Sequence, residues 1–329
     1  MIQLTSKIFR RTAALAAAAA VGLSVTAGAL FGTKKTEQAP EEAPVAQELQ
    51  IFTYRGIPYK AQFLSQGGQG GTLTYAVDQA PQKGTVTVEG DQFTYTPDEG
   101  VTGADSFTYT VSDGEGNQSL PATVSVTIEK PRSGVSYADT AGYDAAAAAQ
   151  YLAETGVFVG ARVGDQYYFE PDRIVNRGEF LAMTLEAAGR EVSPVTMTGF
   201  CDDEAIPTWA KAYASAAVSD GVVKGSVTDE GVALRSEEPI TFNEAAAMLD
   251  RVLALEDVDL AAWYPGREAQ SAWCAQAVAN LESAAVLSAG SFGSDAMEHT
   301  LTRADAAQML AAASALMEQE EPGIFDWLG

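Results

Sequence analysis

A repeat in the C-terminal half of the chain limits what that half can fold into. Two sets of side chains recur at nearly the same spacing. The aromatic set is Tyr143, Trp209 and Trp273, separated by 66 and 64 residues, and the acidic set is Glu179, Glu244 and Asp305, separated by 65 and 61. Two sets with almost equal periods indicate three copies of one supersecondary unit. We place the copies at residues 136–190, 198–255 and 258–318.

Each copy reads as a helix, a glycine turn, a loop and a second helix. The first helices are predicted over residues 146–152, 212–218 and 275–281, ending near Gly156, Gly221 and Ala285. The second helices are predicted to begin at capping boxes formed by Asn176 with Glu179, Thr241 with Glu244 and Thr302 with Asp305. The acids are therefore interpreted as helix-start residues, with ligand contact as the alternative. The aromatic set is interpreted as core anchors, with stacking on a sugar as the alternative.

The motifs of the first unit carry a resemblance to a known family. They are Tyr137-Ala138-Asp139, Gly156-Val157-Phe158-Val159-Gly160, Phe169-Glu170-Pro171 and Ile174-Val175-Asn176-Arg177-Gly178-Glu179-Phe180. The three units resemble S-layer homology (SLH) domains, which are wall-binding modules of bacterial surface proteins. The resemblance implies an all-α, three-repeat pseudo-trimer. It also implies a secondary cell-wall polysaccharide as the ligand, typically one that bears a pyruvate ketal.

The same resemblance points to Arg177 and Arg303 as polysaccharide-binding residues, since they occupy the arginine position of the signature. A guanidinium group offers a fork of donors that matches a planar carboxylate. The alternative is that both arginines only form ion pairs with nearby acids, which contribute little when exposed. The second unit has Phe242 at this position, so its groove is predicted to be inactive or altered.

Residues 48–130 alternate apolar and polar side chains over about seven short runs separated by Gly-Asp and Asp-Gly turns, which predicts a small β-sandwich. The run from Gly103 to Gly114, together with the strands before it, resembles the cadherin-like and Ig-like modules of bacterial adhesins. That resemblance implies a spacer or an adhesive unit with a protein or glycan partner. At the end of this run and just beyond it, Asp113, Glu115 and Asn117 suggest either a calcium site or a polar hairpin loop; the spacing excludes an EF-hand.

The N-terminal residues 1–29 have the pattern of an export segment. Lys7, Arg10 and Arg11 precede an uncharged, alanine-rich stretch at residues 12–33. This order predicts a cleaved signal peptide or, alternatively, a retained membrane anchor. Residues 30–47 are rich in Pro, Glu, Ala and Gln and are predicted to be a linker. The rest of the protein is therefore expected outside the cell, at the bacterial wall or surface.

The charge and the scarcity of reactive side chains exclude several functions. The chain has 44 acidic and 20 basic residues, a net charge of -24, so general binding to nucleic acid is not expected. With one histidine and two cysteines, a Cys/His zinc cluster is excluded and histidine-based catalysis is disfavoured. His299 is interpreted as a surface loop residue. Cys201 and Cys274 are either joined by a disulfide or remain two buried thiols.

These observations predict a multidomain, non-catalytic surface protein with no cofactor and no metal site. Its SLH-like units would hold it on the wall through polysaccharide, and its Ig-like module would act as a spacer or adhesive unit. Between positions 137 and 318 there are ten basic and 28 acidic residues, so binding to an anionic polymer has to be short-ranged. The alternative is a membrane-anchored adhesin or structural envelope protein whose degenerate units no longer bind polysaccharide.

Overall fold

The computed structural model describes residues 43–264, 273–287 and 299–320. The predicted export segment and most of the predicted linker lie outside these residues. Within them, the chain forms an N-terminal β-sandwich followed by a mainly helical part. The sandwich strands are β1 (Val45–Ala46), β2 (Leu49–Tyr54), β3 (Tyr59–Gln62), β4 (Ser65–Gln66), β5 (Thr74–Gln79), β6 (Gly84–Glu89), β7 (Gln92–Pro97), β8 (Gly103–Ser112) and β9 (Ala122–Glu129).

Seven of these strands form the two facing sheets of the sandwich. One sheet has the order β2-β9-β8-β5 and the other has the order β3-β7-β6, so the predicted strand number is confirmed. The pair β2 and β9 is parallel, with six residue pairs from Leu49–Val124 to Tyr54–Glu129. Aromatic and β-branched residues alternate inward along β7, β8 and β9, as the period-two pattern predicted. The sandwich core is built around Phe63, Phe93, Tyr95, Phe107 and Tyr109.

The boundary predicted between the linker and the sandwich is wrong by a few residues. Val45–Ala46 forms a strand antiparallel to Ser65–Gln66, so the linker ends before residue 45. The Gln47 N–H donates to the Leu64 carbonyl at 3.0 Å, and the Tyr109 hydroxyl donates to the Gln47 carbonyl at 2.6 Å. These bonds hold a segment that has few apolar side chains of its own, which is why its composition resembled that of a linker.

The helical part contains seven helices among the described residues, and short hairpins in its first two units. The elements are α1 (Ala146–Thr155), β10 (Ala161–Val163), β11 (Gln166–Tyr168), α2 (Arg177–Ala187), α3 (Thr208–Ser219), β12 (Ser226–Thr228), β13 (Gly231–Ala233), α4 (Phe242–Leu253), α5 (Leu260–Trp263), α6 (Ala275–Ser283) and α7 (Arg303–Glu320). The antiparallel hairpins β10–β11 and β12–β13 occupy the predicted loops, so the all-α expectation for this half is wrong. Glycines with positive φ, Gly164 and Gly231, mark their turns.

The predicted helix ends are confirmed. Gly156 ends α1 in the left-handed conformation, Gly221 follows α3 with a φ of 73°, and Ala285 follows α6 with a φ of 56°. Positive φ values at these positions let the chain reverse toward the next element.

Three segments that precede α2, α4 and α7 join the units through a closed set of backbone hydrogen bonds. The Val175 N–H donates to the Leu301 carbonyl at 3.0 Å, the Leu301 N–H to the Ile240 carbonyl at 2.9 Å, and the Ile240 N–H to the Val175 carbonyl at 3.0 Å. All three residues are buried. Each segment therefore pairs with both others, and we call this arrangement the backbone triangle.

The sandwich packs directly on the first helical unit. Phe52 and Tyr54, at the end of β2, belong to the same buried cluster as Ala149 and Leu152 of α1. In the residues that the structure describes, no helix has the length and apolar composition needed to cross a membrane.

Candidate functional site

The starts of α2, α4 and α7 surround the backbone triangle, and their capping boxes fix how these helices begin. The Asn176 side chain accepts from the Glu179 N–H at 2.7 Å while Glu179 accepts from the Asn176 N–H. Thr241 and Glu244 form the same reciprocal pair, and the Asp305 carboxylate accepts from the Thr302 N–H at 2.9 Å. The interpretation of the three acids as helix-start residues is confirmed. Glu244 additionally binds two arginines.

Arg177 connects the first unit to the second. The residue is only 6% exposed, its Nε donates to the Leu234 carbonyl at 3.0 Å, and its Nη1 lies 2.7 Å from Glu244 Oε1. The same carboxylate oxygen lies 2.8 Å from Nη2 of Arg235. The Arg177 side chain therefore donates its hydrogen bonds to the second unit, and no local pattern in the sequence reveals these contacts.

Arg303 connects the third unit to the first in the corresponding way. Its exposed fraction is 4%, its Nη1 donates to the Phe169 carbonyl, and the same nitrogen lies 2.9 Å from Glu170 Oε2. The guanidinium carbon also lies 4.8 Å from the centre of the Phe158 ring, a cation–π contact. Burial is the largest cause lowering the pKa of this guanidinium from its ordinary value. The structure thus places both predicted binding arginines at unit junctions, and their role in polysaccharide binding stays a prediction.

The corresponding residue of the second unit, Phe242, is partly buried against the helical core. Its N–H donates to the carbonyl of His299 at 3.0 Å. It therefore shares the backbone role of Arg177 and Arg303, whose N–H groups donate to the Glu238 and Arg173 carbonyls. His299 itself is exposed, as predicted.

The aromatic set does not form the core as predicted. Trp209 is 49% exposed and Trp273 is 65% exposed, while Tyr143 is half-buried with its hydroxyl donated to Asp172. The helix α3 buries Ala210, Ala214 and Ala217 instead, which share one helix face. Because Trp209 is adjacent to Ala210 in sequence, it projects away from that face. The interpretation of both tryptophans as core anchors is wrong, and two large indoles lie on the surface at equivalent positions.

The opening aspartate of each of the first two units has a structural role that the sequence reasoning did not assign. Asp139 accepts from the Phe169 and Glu170 N–H groups at 2.9 and 2.7 Å. Asp202 accepts from the Leu234 and Arg235 N–H groups, both at 2.8 Å. Asp139 thus holds the segment whose Phe169 carbonyl is bound by Arg303, and Asp202 holds the segment whose Leu234 carbonyl is bound by Arg177. The sequence signal for this role is an aromatic-x-Asp motif that recurs at unit spacing, as Tyr137-Ala138-Asp139 and Phe200-Cys201-Asp202.

The loop that begins at Asp113 in the sandwich is a hairpin loop held by hydrogen bonds to the Asp113 carboxylate. The Asp113 carboxylate accepts from the N–H groups of Gln69, Glu115 and Asn117 and from the Asn117 side chain, at 2.8 to 3.0 Å. These bonds, led by the one from the Asn117 side chain, lower the pKa of Asp113 to about 2. Four donors pointing at one carboxylate fit the predicted polar loop. Such a carboxylate stabilises its own turn.

Cys201 and Cys274 are not joined by a disulfide. Cys201 is exposed, with its Sγ 3.7 Å from Thr228 Oγ1, and Cys274 is buried. The alternative of two buried thiols therefore describes only Cys274.

Comparison with known proteins identifies one of the two parts. Residues 41–127 match the family model described as a bacterial Ig domain. The sandwich is therefore Ig-like and similar to a bacterial Ig domain, and we call it the Ig domain. This match covers β1 to most of β9 and agrees with its four-plus-three sheets.

The comparisons also found a partial sequence relative and several distant structures. The Surface-layer 125 kDa protein of Lysinibacillus sphaericus is 32% identical over 122 residues, which are 37% of this chain and 10% of that protein. The chain thus spans about a tenth of that relative. An endo-fucoidan hydrolase of glycoside hydrolase family 107 matches with a TM-score of 0.23 at 20% identity, covering 30% of this chain and 14% of its own. The fibronectin(III)-like modules of CbhA from Clostridium thermocellum match with a TM-score of 0.18 at 11% identity, covering 27% and 100%. Scores this low carry no conclusion.

Proposed function

We propose that this is a non-catalytic protein of the bacterial cell surface, held on the wall by its helical part. In this proposal the helical part is an SLH-type pseudo-trimer that binds secondary cell-wall polysaccharide, and the Ig domain is a spacer or adhesive unit. The partial similarity to a surface-layer protein supports the location. The backbone triangle and the repeated capping boxes support three equivalent units arranged around one axis.

The observation that carries the proposal is the exposure of Trp209 and Trp273. Exposing a large indole leaves apolar surface in water, so we take the two indoles at equivalent repeat positions as candidate binding side chains. The flat face of an indole stacks on apolar faces, while its N–H remains available for a hydrogen bond. Sugar rings offer C–H faces flanked by hydroxyls, which fit both properties.

Arg177 and Arg303 enter this proposal as junction residues that hold the units in register. Direct contact with a carboxylate of the polymer would require their guanidinium groups to exchange the bonds to Glu244 and Glu170. Glu170 is 50% exposed and so offers the easier exchange, which makes Arg303 the better candidate for a contact with the polymer.

The test is co-sedimentation of the full chain with purified wall sacculi, before and after chemical removal of the secondary polymer. The variants are Trp209→Ala, Trp273→Ala and, as a control, Val227→Ala, which changes an apolar side chain that is 89% exposed on the β12–β13 hairpin. We expect binding to require the polymer, to fall about tenfold in each tryptophan variant, and to be unchanged in Val227→Ala.

Equal sedimentation with stripped walls would contradict the proposal. It would instead favour a membrane-anchored adhesin or structural envelope protein whose units no longer bind polysaccharide. Loss of binding in Val227→Ala as well would show that the assay measures nonspecific hydrophobic adsorption to the wall, which would also contradict the proposal.

A further inference from the structure

A cleft lies between the Ig domain and the first helical unit, and its lining includes neither Trp209 nor Trp273. Its volume is about 740 Å³, within the range of roughly 300 to 1,000 Å³ typical of small-ligand sites. We call it the interdomain cleft. Its lining includes Arg55, Lys60, Thr94 and Thr96 from the Ig domain and Thr140, Tyr143 and Asp144 from the helical unit.

The charged side chains that line the interdomain cleft are mainly basic, although the whole protein is acidic. Asp172 and Glu154 lie behind this lining, bonded to Tyr143 and Gln150. Arg55 and Lys60 contribute two positive charges, and Asp144 contributes one negative charge at 3.0 Å from the Lys60 ammonium group. Arg55 is exposed and has no ion pair within the described part of the chain. In a chain of net charge -24, an excess of positive charge in a cleft marks a place where an anion is locally favoured.

The remaining walls of the cleft suit a hydroxyl-rich ligand. Thr94, Thr96 and Thr140 offer hydroxyl groups that both donate and accept hydrogen bonds. Tyr143 is half-buried, and its hydroxyl bond to Asp172 fixes the orientation of its ring. Hydroxyl groups and an aromatic ring on the walls of one cleft can together recognise the polar edge and the C–H face of a sugar.

We infer that the interdomain cleft binds an acidic saccharide, with a sugar carboxylate on Arg55 and Lys60 and sugar hydroxyls on the threonines. Since residues from both domains line it, the site exists only when the Ig domain is seated on the first unit. This site is separate from the tryptophan surface of the proposed anchoring function, and either can be wrong without the other.

The experiment measures binding of three probes to the full chain by calorimetry: tetragalacturonate, the neutral sugar maltotetraose and the acidic peptide tetraglutamate. We expect tetragalacturonate to bind and to weaken as salt is raised, because the contact is charge-assisted. Maltotetraose and tetraglutamate should bind at least tenfold more weakly, because the first lacks a carboxylate and the second lacks sugar hydroxyls. Tighter binding of tetraglutamate than of tetragalacturonate would overturn the saccharide assignment.

Two variants with opposite expected signs separate binding from domain docking. Lys60→Gln and Asp144→Asn break the same ion pair, but the first removes a positive charge from the cleft and the second removes a negative one. We expect tetragalacturonate to bind about tenfold more weakly to Lys60→Gln and several-fold more tightly to Asp144→Asn. Lys224→Gln, a change at an exposed lysine outside the cleft, is the control and should have no effect.

Weaker binding in both Lys60→Gln and Asp144→Asn would show that the ion pair only holds the domains together, and would overturn the inference. No binding of tetragalacturonate to the unmodified chain would do the same. Wall sedimentation of the Arg55→Gln variant distinguishes the two proposals, since it should stay normal if the tryptophan surface does the anchoring.

Discussion

Replacing Arg177 with methionine should destabilise the helical part more than replacing Arg303 with methionine. Both arginines are almost fully buried and both bind a carboxylate and a carbonyl of a neighbouring unit. They differ in the carboxylate that is left behind, because the Glu244 side chain is 18% exposed and the Glu170 side chain is 50% exposed. A carboxylate with less access to water is destabilised more when its partner is removed.

The expected magnitudes follow from these contacts. Breaking a buried ion pair by removing one partner costs about 3 to 5 kcal/mol. We expect about 3 kcal/mol for Arg177→Met, because Arg235 still neutralises Glu244 at 2.8 Å. For Arg303→Met we expect about 1 to 2 kcal/mol, since Glu170 regains water and the methionine still packs on Phe158.

The assay is thermal unfolding followed by tryptophan fluorescence. None of the four tryptophans lies in the Ig domain, and Trp209, Trp263 and Trp273 lie in the described helical part, so this signal follows the helical part and not the Ig domain. For a part of this size, each kcal/mol of destabilisation lowers the unfolding midpoint by about 2 to 4 °C. The midpoint of Arg177→Met should therefore lie roughly 6 to 12 °C below that of the parent. Arg162→Met, which alters an exposed pair with Asp165, is the matched control and should shift the midpoint little.

Two outcomes would refute the reasoning. One is a midpoint for Arg177→Met equal to that of the control, which would mean that the junction contact is not formed in solution. The other is a larger loss for Arg303→Met, which would mean that exposure of the remaining carboxylate does not set the cost.

Three further predictions test other parts of the structure. Asp113→Asn should destabilise the Ig domain at neutral pH. Because the pKa of Asp113 is lowered to about 2, the contribution of its carboxylate to stability is present above about pH 4 and is lost as the pH falls toward 2. Unfolding followed by circular dichroism should therefore show the stabilities of the variant and the parent converging near pH 2. Phe52→Ala should lower the fluorescence-detected midpoint of the helical part by an amount equivalent to about 3 kcal/mol, whereas Phe93→Ala, inside the sandwich core, should leave that midpoint nearly unchanged. A thiol reagent should label Cys201 in the native protein and Cys274 only after unfolding, and protection of Cys201 would contradict its exposed position.

The elements of this fold that depend on local sequence were predictable. Alternation of apolar and polar residues identified the strands of the sandwich, because strand faces are set by a period of two. The capping boxes at Asn176 and Thr241 identified the starts of α2 and α4, because the bonds involved join residues only three positions apart. The hairpins were missed although Gly164 and Gly231 mark their turns, because strands of three residues give too short a pattern to recognise.

The candidate site was harder to predict because its contacts join different units. The burial of Arg177 depends on Leu234 and Glu244, which lie more than fifty residues away in the chain. The exposure of Trp209 was predictable in principle, since Ala210, Ala214 and Ala217 already mark the buried face of α3. Aligning the aromatic residues across repeats showed that they are equivalent, but equivalence alone does not say whether a position is buried.

The parallel pairing of β2 with β9 determines how the Ig domain would respond to tension. The chain enters β2 at the end far from the helical part and leaves β9 beside it, so a pull along the chain slides the two strands past each other. All six residue pairs from Leu49–Val124 to Tyr54–Glu129 would then share the force at once. Pulling on Gly84 and Pro97 would instead peel the antiparallel β6–β7 hairpin one pair at a time. Single-molecule pulling should therefore record a higher unfolding force from the ends of the domain than from that hairpin, and equal forces would show that the β2–β9 pair does not resist the pull.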